Sequence, residues 1–272
     1  MITIKKYFIL IIITFITINS FREVSFVKST NKNAENITVV AHRGICRDEP
    51  ENSMSAIKSD IKNKLEWAEI DVQETKEGSV VLMHDKYLKR LTGINITVNK
   101  LNLDEIEKLN LINLFSTKYK KEKIPSLEEI IRTCKGKLKL VIELKSYGKG
   151  NSLSGKVVKI IEENNFVEEC VVQSLDYKNL LYVKELNAKI ITGYLMNFIS
   201  DYEDYYKVDF YTVKQSIISR VLVKSIHKNA KKIFAWNVNS KKVVIKMIEL
   251  NVDGIITNKP LLINEIKASS RK

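Results

Sequence analysis

Three cysteines and three histidines in 272 residues set the first limits on this chain. Cys46, Cys134 and Cys170 are odd in number and far apart. They cannot all pair, and they lack the close spacing of a cysteine metal site, so they read as small buried hydrophobes. Cys46 alone is set apart, because it follows directly on the first motif described below. Also missing is any stripe of cations interleaved with stacking aromatics. The formal charge is +13, yet the lysines are scattered among glutamates along helical stretches. That pattern excludes nucleic acid as a partner and leaves two destinations for the positive charge, an anionic membrane surface or a phosphate-bearing small molecule.

Long hydrophobic runs are scarce too, with one exception. Lys5 and Lys6 precede an apolar run over 7–18, broken only by Thr14 and Thr17 and ended by Asn19 and Ser20. A basic start, an apolar centre and a polar exit form an export signal. The run falls short of the roughly 20 apolar residues that a spanning helix needs, and Ile18 and Ser20 make an indifferent cleavage site. Residues 1–27 are therefore expected to be either a signal peptide or an uncleaved membrane anchor, and 28–36 a polar linker. Both place the rest of the chain outside the cytoplasm, anchored or secreted. Residues 37–272 are enough for one large domain: a barrel of alternating strands and helices uses roughly 250 residues, which leaves no room for a second.

From residue 37 onward, short β-rich runs alternate with helical patterns, the signature of a parallel α/β fold. Nine runs qualify: 37–41, 68–72, 80–83, 138–142, 170–173, 190–195, 210–213, 233–238 and 254–257. Eight places exist in a (β/α)8 barrel, so one run is surplus. Residues 74–79 identify the odd connection, since parallel neighbours need a crossover of a dozen or more residues and six make only a local reversal. Met54, Ile57, Ile61 and Leu65 form one helical face, with Asn52 or Ser53 as its cap. Ser126 followed by Glu129 is a capping box, Asp176 caps a helix bearing Leu180, Leu181 and Leu186, and Ser240 caps one bearing Val244 and Met247. The stretch 86–122 reads as an insertion over one end of the barrel.

The chemistry-bearing residues cluster at strand ends. His42, Arg43 and Gly44 close the first run, and barrel enzymes carry their catalytic residues at that end of a strand. Glu69 and Asp71 point to one side of an otherwise apolar strand. Two like charges buried together need a cation, and oxygen ligands suit calcium or magnesium. His84 and Asp85 end the next run, so two of the three histidines stand at strand ends, fitted to exchange protons. Glu143 and Lys145 bring a third carboxylate and an ammonium inward, either a metal ligand with a phosphate-binding cation or a plain internal ion pair. Glu51 lies near a helix start, and Trp236 is either a pocket wall or barrel core. His227 lies in a lysine-rich helical stretch and reads as structural or surface.

In order, HRG, PENS, EIDV, GSVVLMHD, IPSLEE, ELK, QS, WNVN and DGIITNKP resemble the motif series of the glycerophosphodiester phosphodiesterases, over about residues 38 to 262. The resemblance implies a (β/α)8 barrel with a small cap insertion, in which Glu69, Asp71 and Glu143 hold a divalent cation and His42 and His84 serve as acid and base. It further implies that Arg43 and Lys145 bind phosphate, that Glu51 belongs to the site as ligand or orienting group, and that Trp236 borders the glycerol pocket. The implied reaction is metal-dependent hydrolysis of a glycerophosphodiester to glycerol 3-phosphate and an alcohol. Ser53 stands where threonine is commoner in the family and Asn258 where aspartate often stands, and three extra polar residues precede Pro50; none of these removes a ligand or proton carrier. A lysophospholipase D or a phosphatidylinositol-specific phospholipase C would use a similar histidine pair, and lysophospholipids join glycerophosphodiesters as expected substrates. A membrane-tethered binding protein without activity is the alternative outside the enzymes.

Overall fold

A two-stranded reversal accounts for the surplus strand. In the computed structural model, which describes residues 35–45, 49–112, 122–147, 151–203 and 206–269, β2 (Trp67–Glu74) turns back through residues 75–79 into β3 (Val80–Leu82). The two pair antiparallel, with Val72 opposite Leu82. β3 hangs on the outside of a ring formed by β1 (Thr38–His42), β2, β4 (Lys139–Leu144), β5 (Cys170–Ser174), β6 (Ile191–Met196), β7 (Phe210–Lys214), β8 (Lys232–Trp236) and β9 (Gly254–Thr257). Pairing of β1 with both β2 and β9 closes the ring, and all pairs around it are parallel. The fold is a (β/α)8 barrel.

Crossover helices pack outside. α1 (Met54–Lys62) follows β1, and short α2 (Lys89–Thr92) and α3 (Leu103–Ile106) lie in the insertion. α4 (Leu127–Cys134), α5 (Asn151–Glu163), α6 (Tyr177–Leu186), α7 (Arg220–Lys228), α8 (Lys241–Glu249) and α9 (Pro260–Ser269) complete the outer layer. Caps follow local chemistry. Ser53, not Asn52, accepts the N–H of Ala56; the Ser126–Glu129 capping box is formed; Asp176 and Ser240 accept N–H groups of their own first turns. One helical face differs from expectation: Leu181 and Leu186 are largely exposed, and α6 buries Leu180 and Val183 instead, the i and i+3 positions facing the sheet.

Alternation along the strands sorts the core into layers. Ala68, Ile70 and Val72 point outward into the main cluster beneath the helices, while Glu69, Asp71 and Gln73 point into the barrel. The barrel floor is filled by Val40, Val141, Val171, Phe210 and Ile256. Phe210 and Phe234 fit there because Gly193 and Gly254 carry no Cβ, which would collide with those rings. The described part of the insertion builds a separate small core of Leu88, Leu91, Val98, Ile106 and Leu111 against Val81 and Met83. Cys134 and Cys170 are free and buried, and their thiols are pushed up to about 12 by burial. Cys46 and the N-terminal segment 1–27 lie outside the described residues, as do 28–34 of the linker. Among the described residues no helix is long and apolar enough to cross a membrane.

Candidate active site

Strand register brings the acids together. His42 ends β1 opposite Glu69 of β2, Asp71 lies opposite Glu143 of β4, and Glu143 lies opposite Gln173 of β5. The three carboxylates therefore stand on neighbouring strands at the carboxyl end of the barrel, 1%, 1% and 5% exposed for Glu69, Asp71 and Glu143. One oxygen from each lies within 4.8 Å of the others.

Two cations face them. Lys145 Nζ is 3.1 Å from Asp71 Oδ1 and also pairs with Glu143 Oε1. Arg43 Nε is 3.4 Å from Asp71 Oδ2, and the Arg43 backbone N–H donates to Glu69 Oε2 at 3.1 Å. That backbone contact depends on the turn after β1. Arg43 and Gly44 both take positive φ, 58° and 74°, and a Cβ on Gly44 would meet that of Ala56 at 2.8 Å. Only glycine suits the second position.

Burial and like charge decide the protonation of the cluster. Burial, then Asp71 and Glu143, push the Glu69 carboxyl well up; burial and Asp71 push Glu143 up. Asp71 is held below its usual range despite burial, because Lys145 and Arg43 flank it. Burial opposes the charge on Lys145 as well, but Asp71 and Glu143 hold it charged. The family discussed below implies a divalent cation, and the donors fit one: the set is all oxygen, and Glu69 Oε1 is buried without a hydrogen-bond partner.

The two histidines are held differently. His42 Nδ1 lies 2.6 Å from Asn258 Oδ1, so Nδ1 carries the proton and the lone pair is on Nε2, 4.0 Å from Glu69 Oε2. Burial and then the Arg43 charge push its pKa down to about 4. His84 Nδ1 lies 2.8 Å from Asp85 Oδ1, and the Tyr147 hydroxyl donates to the His84 carbonyl at 2.6 Å. Burial lowers the His84 pKa, with the Asp71 and Asp85 carboxylates opposing it. Asp85 is itself held at about 2, chiefly by Arg90 and His84 against burial.

A cavity of about 230 Å³ opens over these groups, lined by His42, Arg43, Glu69, Asp71, His84, Glu143, Lys145 and Trp236. Trp236 also packs against the barrel floor, so both readings of it apply, and its Nε1 is buried without a partner. Glu51 does not line the cavity. It sits behind Arg43, Oε1 2.7 Å from Nη1, and is not among the three clustered carboxylates. His227 is surface structure, bonded to Asp253 at 2.9 Å.

Three supporting residues carried no site role in the sequence analysis. Asn52, with φ 53°, grips Asp71 twice: its Nδ2 donates to Oδ2 at 2.9 Å and its Oδ1 accepts the Asp71 N–H at 3.0 Å. Arg90 reaches from the insertion to Asp85 and Glu51. Gln173 donates to Glu143 at 3.3 Å and is itself held by the Thr212 hydroxyl. Asn52 was legible as the asparagine of the PENS motif; Arg90 carried no local signal.

Two cations against a buried carboxylate cluster, with two histidines on the same cavity, are the parts a phosphodiester-cleaving barrel enzyme needs. A sequence profile of the glycerophosphoryl diester phosphodiesterase family matches residues 42–262. A Caldanaerobacter subterraneus glycerophosphodiester phosphodiesterase is 33% identical over 239 residues, covering 84% of this chain and 97% of its own. One from Bacillus altitudinis is 28% identical, over 82% and 94% of the two chains. An Oleispira antarctica phosphodiesterase, solved with the product sn-glycerol-3-phosphate, superposes with a TM-score of 0.78 at 24% identity, covering 84% and 95%. The chain belongs to the glycerophosphoryl diester phosphodiesterase family and is an enzyme of that class.

Proposed function

We propose that this protein hydrolyses glycerophosphodiesters to glycerol 3-phosphate and an alcohol, with calcium or magnesium held by Glu69, Asp71 and Glu143. The observation that carries the reading is charge balance in the cavity. Ionised, as cation ligands must be, the three carboxylates against Arg43 and Lys145 leave one net negative charge among the lining groups, and burial with like charge, which raises Glu69 and Glu143, opposes that state until a cation joins them. A divalent cation turns this into one positive charge, which a phosphodiester monoanion neutralises. When bound, the cation would polarise a phosphoryl oxygen. Arg43 and Lys145 stabilise the charge that develops on the other phosphoryl oxygens, and Glu51 keeps Arg43 charged and aimed.

Their partners divide the proton work between the histidines. His42 faces the neutral amide of Asn258 and stays unprotonated near neutral pH, so its Nε2 accepts the proton of the attacking hydroxyl. His84 faces the Asp85 carboxylate, which supports its imidazolium, so it delivers a proton to the departing alcohol oxygen. Trp236 offers a flat wall to the glycerol part. Lysophospholipids form a second substrate class, favoured by Leu175, which lines the cavity while 46% exposed at its mouth. The apolar N-terminal run supports a location outside the cytoplasm, membrane-held or secreted.

The test is glycerol 3-phosphate release from glycerophosphocholine and glycerophosphoethanolamine by the purified chain, with chelator and then with calcium or magnesium restored. Chelator-sensitive release supports reaction and metal together. No release from either substrate, with metal still bound, overturns the glycerophosphodiester reading in favour of lysophospholipids; neither release nor metal binding overturns the enzyme mechanism.

A further inference from the structure

The carboxyl end of the barrel carries two surface features that catalysis leaves unexplained. The first is apolar. Phe198 is 68% exposed and Ile199 57%, and both follow Asn197, which lines the cavity. Leu175, on the loop after the neighbouring strand β5, adds a third exposed apolar side chain. These residues are not on a loose strand of chain. Asp201 Oδ2 accepts the backbone N–H of both Asn197 (3.0 Å) and Phe198 (2.9 Å), and a 3-10 turn over Ile199–Asp201 holds the loop closed. Large apolar side chains on a pinned loop beside a substrate cavity are displayed to something other than water.

The second feature is charge in an unfavourable place. Helices that follow barrel strands begin at the same end as the active site. Lys178 lies in the first turn of α6, Arg220 opens α7, and Lys241 and Lys242 open α8; none of these first turns has an acidic residue. Lys214 and Lys259 stand at the ends of β7 and β9, and all six cations are exposed. A helix amino terminus is the positive end of its dipole and favours acids there. Asp176, which caps α6, and Asp201, which holds the Phe198 loop, keep their charges on this face, and Asp85 is paired with Arg90, so the six cations remain in excess of these acids. Cations at dipole ends weaken the helices slightly and create a positive face around the cavity mouth.

We propose that this face is a docking surface for an anionic lipid bilayer, with Phe198 and Ile199 entering it and the cationic helix starts lying against its phosphate head groups. Apolar projections ringed by basic residues match that partner, because insertion and charge attraction then act together. Docking presents the cavity mouth to the lipid surface. It is separate from any attachment through residues 1–27, and it holds whichever phosphodiester is cleaved.

The experiment uses the full chain with Phe198→Trp and vesicles of brominated phosphatidylglycerol mixed with phosphatidylcholine. Quenching of the added indole, above that of Trp67 and Trp236 in the parent, is expected on these vesicles and not on brominated phosphatidylcholine alone. Adding Lys178→Glu, Lys241→Glu and Lys242→Glu is expected to abolish the quenching while release of glycerol 3-phosphate from a water-soluble substrate is unchanged. A chain that sediments with the anionic vesicles but leaves residue 198 unquenched overturns the proposal. So does self-association through Phe198 without lipid. If the parent is inactive on the soluble substrate, the functional reading fails, and the quenching result still decides the docking.

Discussion

Arg90 lays two guanidinium nitrogens against the two carboxylate oxygens of Glu51, at 2.9 and 2.7 Å, while its Nε lies 2.6 Å from Asp85. Glu51 in turn holds Arg43, and Asp85 holds His84. One side chain from the insertion thus orients both Arg43 and His84, the arginine and the histidine to which the proposed reaction gives the phosphate and the departing alcohol. Partial burial of these groups makes the fork geometry matter, since lysine offers no planar pair of donors. Arg90→Lys is expected to lower kcat/KM by about 10- to 100-fold, the range typical for loss of a positioning contact. Metal affinity should stay within about twofold, because no metal-cluster carboxylate touches Arg90. Isothermal titration beside kinetics checks it; unaltered kinetics would mean the two arms are aligned by the barrel alone.

The pairing of His42 with Asn258 predicts a pH profile. The neutral Asn258 oxygen favours the protonated ring only weakly, and burial, followed by the Arg43 charge, outweighs it and drives the His42 pKa to about 4, so the base form persists well below neutrality. Asn258→Asp places a carboxylate at Nδ1, which favours the imidazolium and raises that pKa by about one to three units. The acidic limb of kcat/KM should move to higher pH by a like amount with little change at pH 8. An unmoved limb would assign it to another group.

Much of this was legible locally, and the residues show where legibility stopped. Alternating polarity in EIDV exposed the inward pair Glu69 and Asp71, because a strand's period is fixed by its own geometry. The caps Ser126, Asp176 and Ser240 were legible for the same reason: each acts within its own first turn. Arg90 and Glu51 are 39 residues apart and His42 and Asn258 are 216 apart. Those contacts exist only because the barrel closes and the insertion docks, which no local pattern encodes. Asn52 illustrates the boundary: as a cap candidate it competed with Ser53, and the competition was settled by Asp71, a partner on another strand.

Removal of one carboxylate should separate metal holding from proton transfer. Glu143→Ala takes one of three clustered carboxylates and leaves Lys145 paired with Asp71 alone, so divalent binding and turnover are expected to fall together, turnover by at least about 1000-fold given the electrostatic role of such a centre. His84→Ala leaves the cluster intact. Its turnover should drop about 100- to 10,000-fold, the range for loss of a positioned acid or base, with metal affinity preserved. Retained turnover in both would show that the reaction runs elsewhere.

A buried acid outside the cavity, beneath the turn after β1, gives the sharpest stability prediction. Asp60 in α1 is fully buried, Oδ1 accepting the Ile45 N–H at 2.9 Å and Oδ2 without a partner. Burial pushes its pKa up to about 8, so between the unfolded value near 4 and about 8 the folded chain holds a proton that the unfolded chain has lost. The folded state then binds more protons, and stability falls as pH rises through that window, by about 2 kcal/mol between pH 6 and pH 8 for this group. Asparagine keeps an acceptor for Ile45 and cannot ionise. Urea denaturation of Asp60→Asn should therefore show a smaller loss of stability from pH 6 to pH 8 than the parent. Equal losses would place the Asp60 proton outside the folding equilibrium and require the carboxyl to be ionised, and paired, at neutral pH.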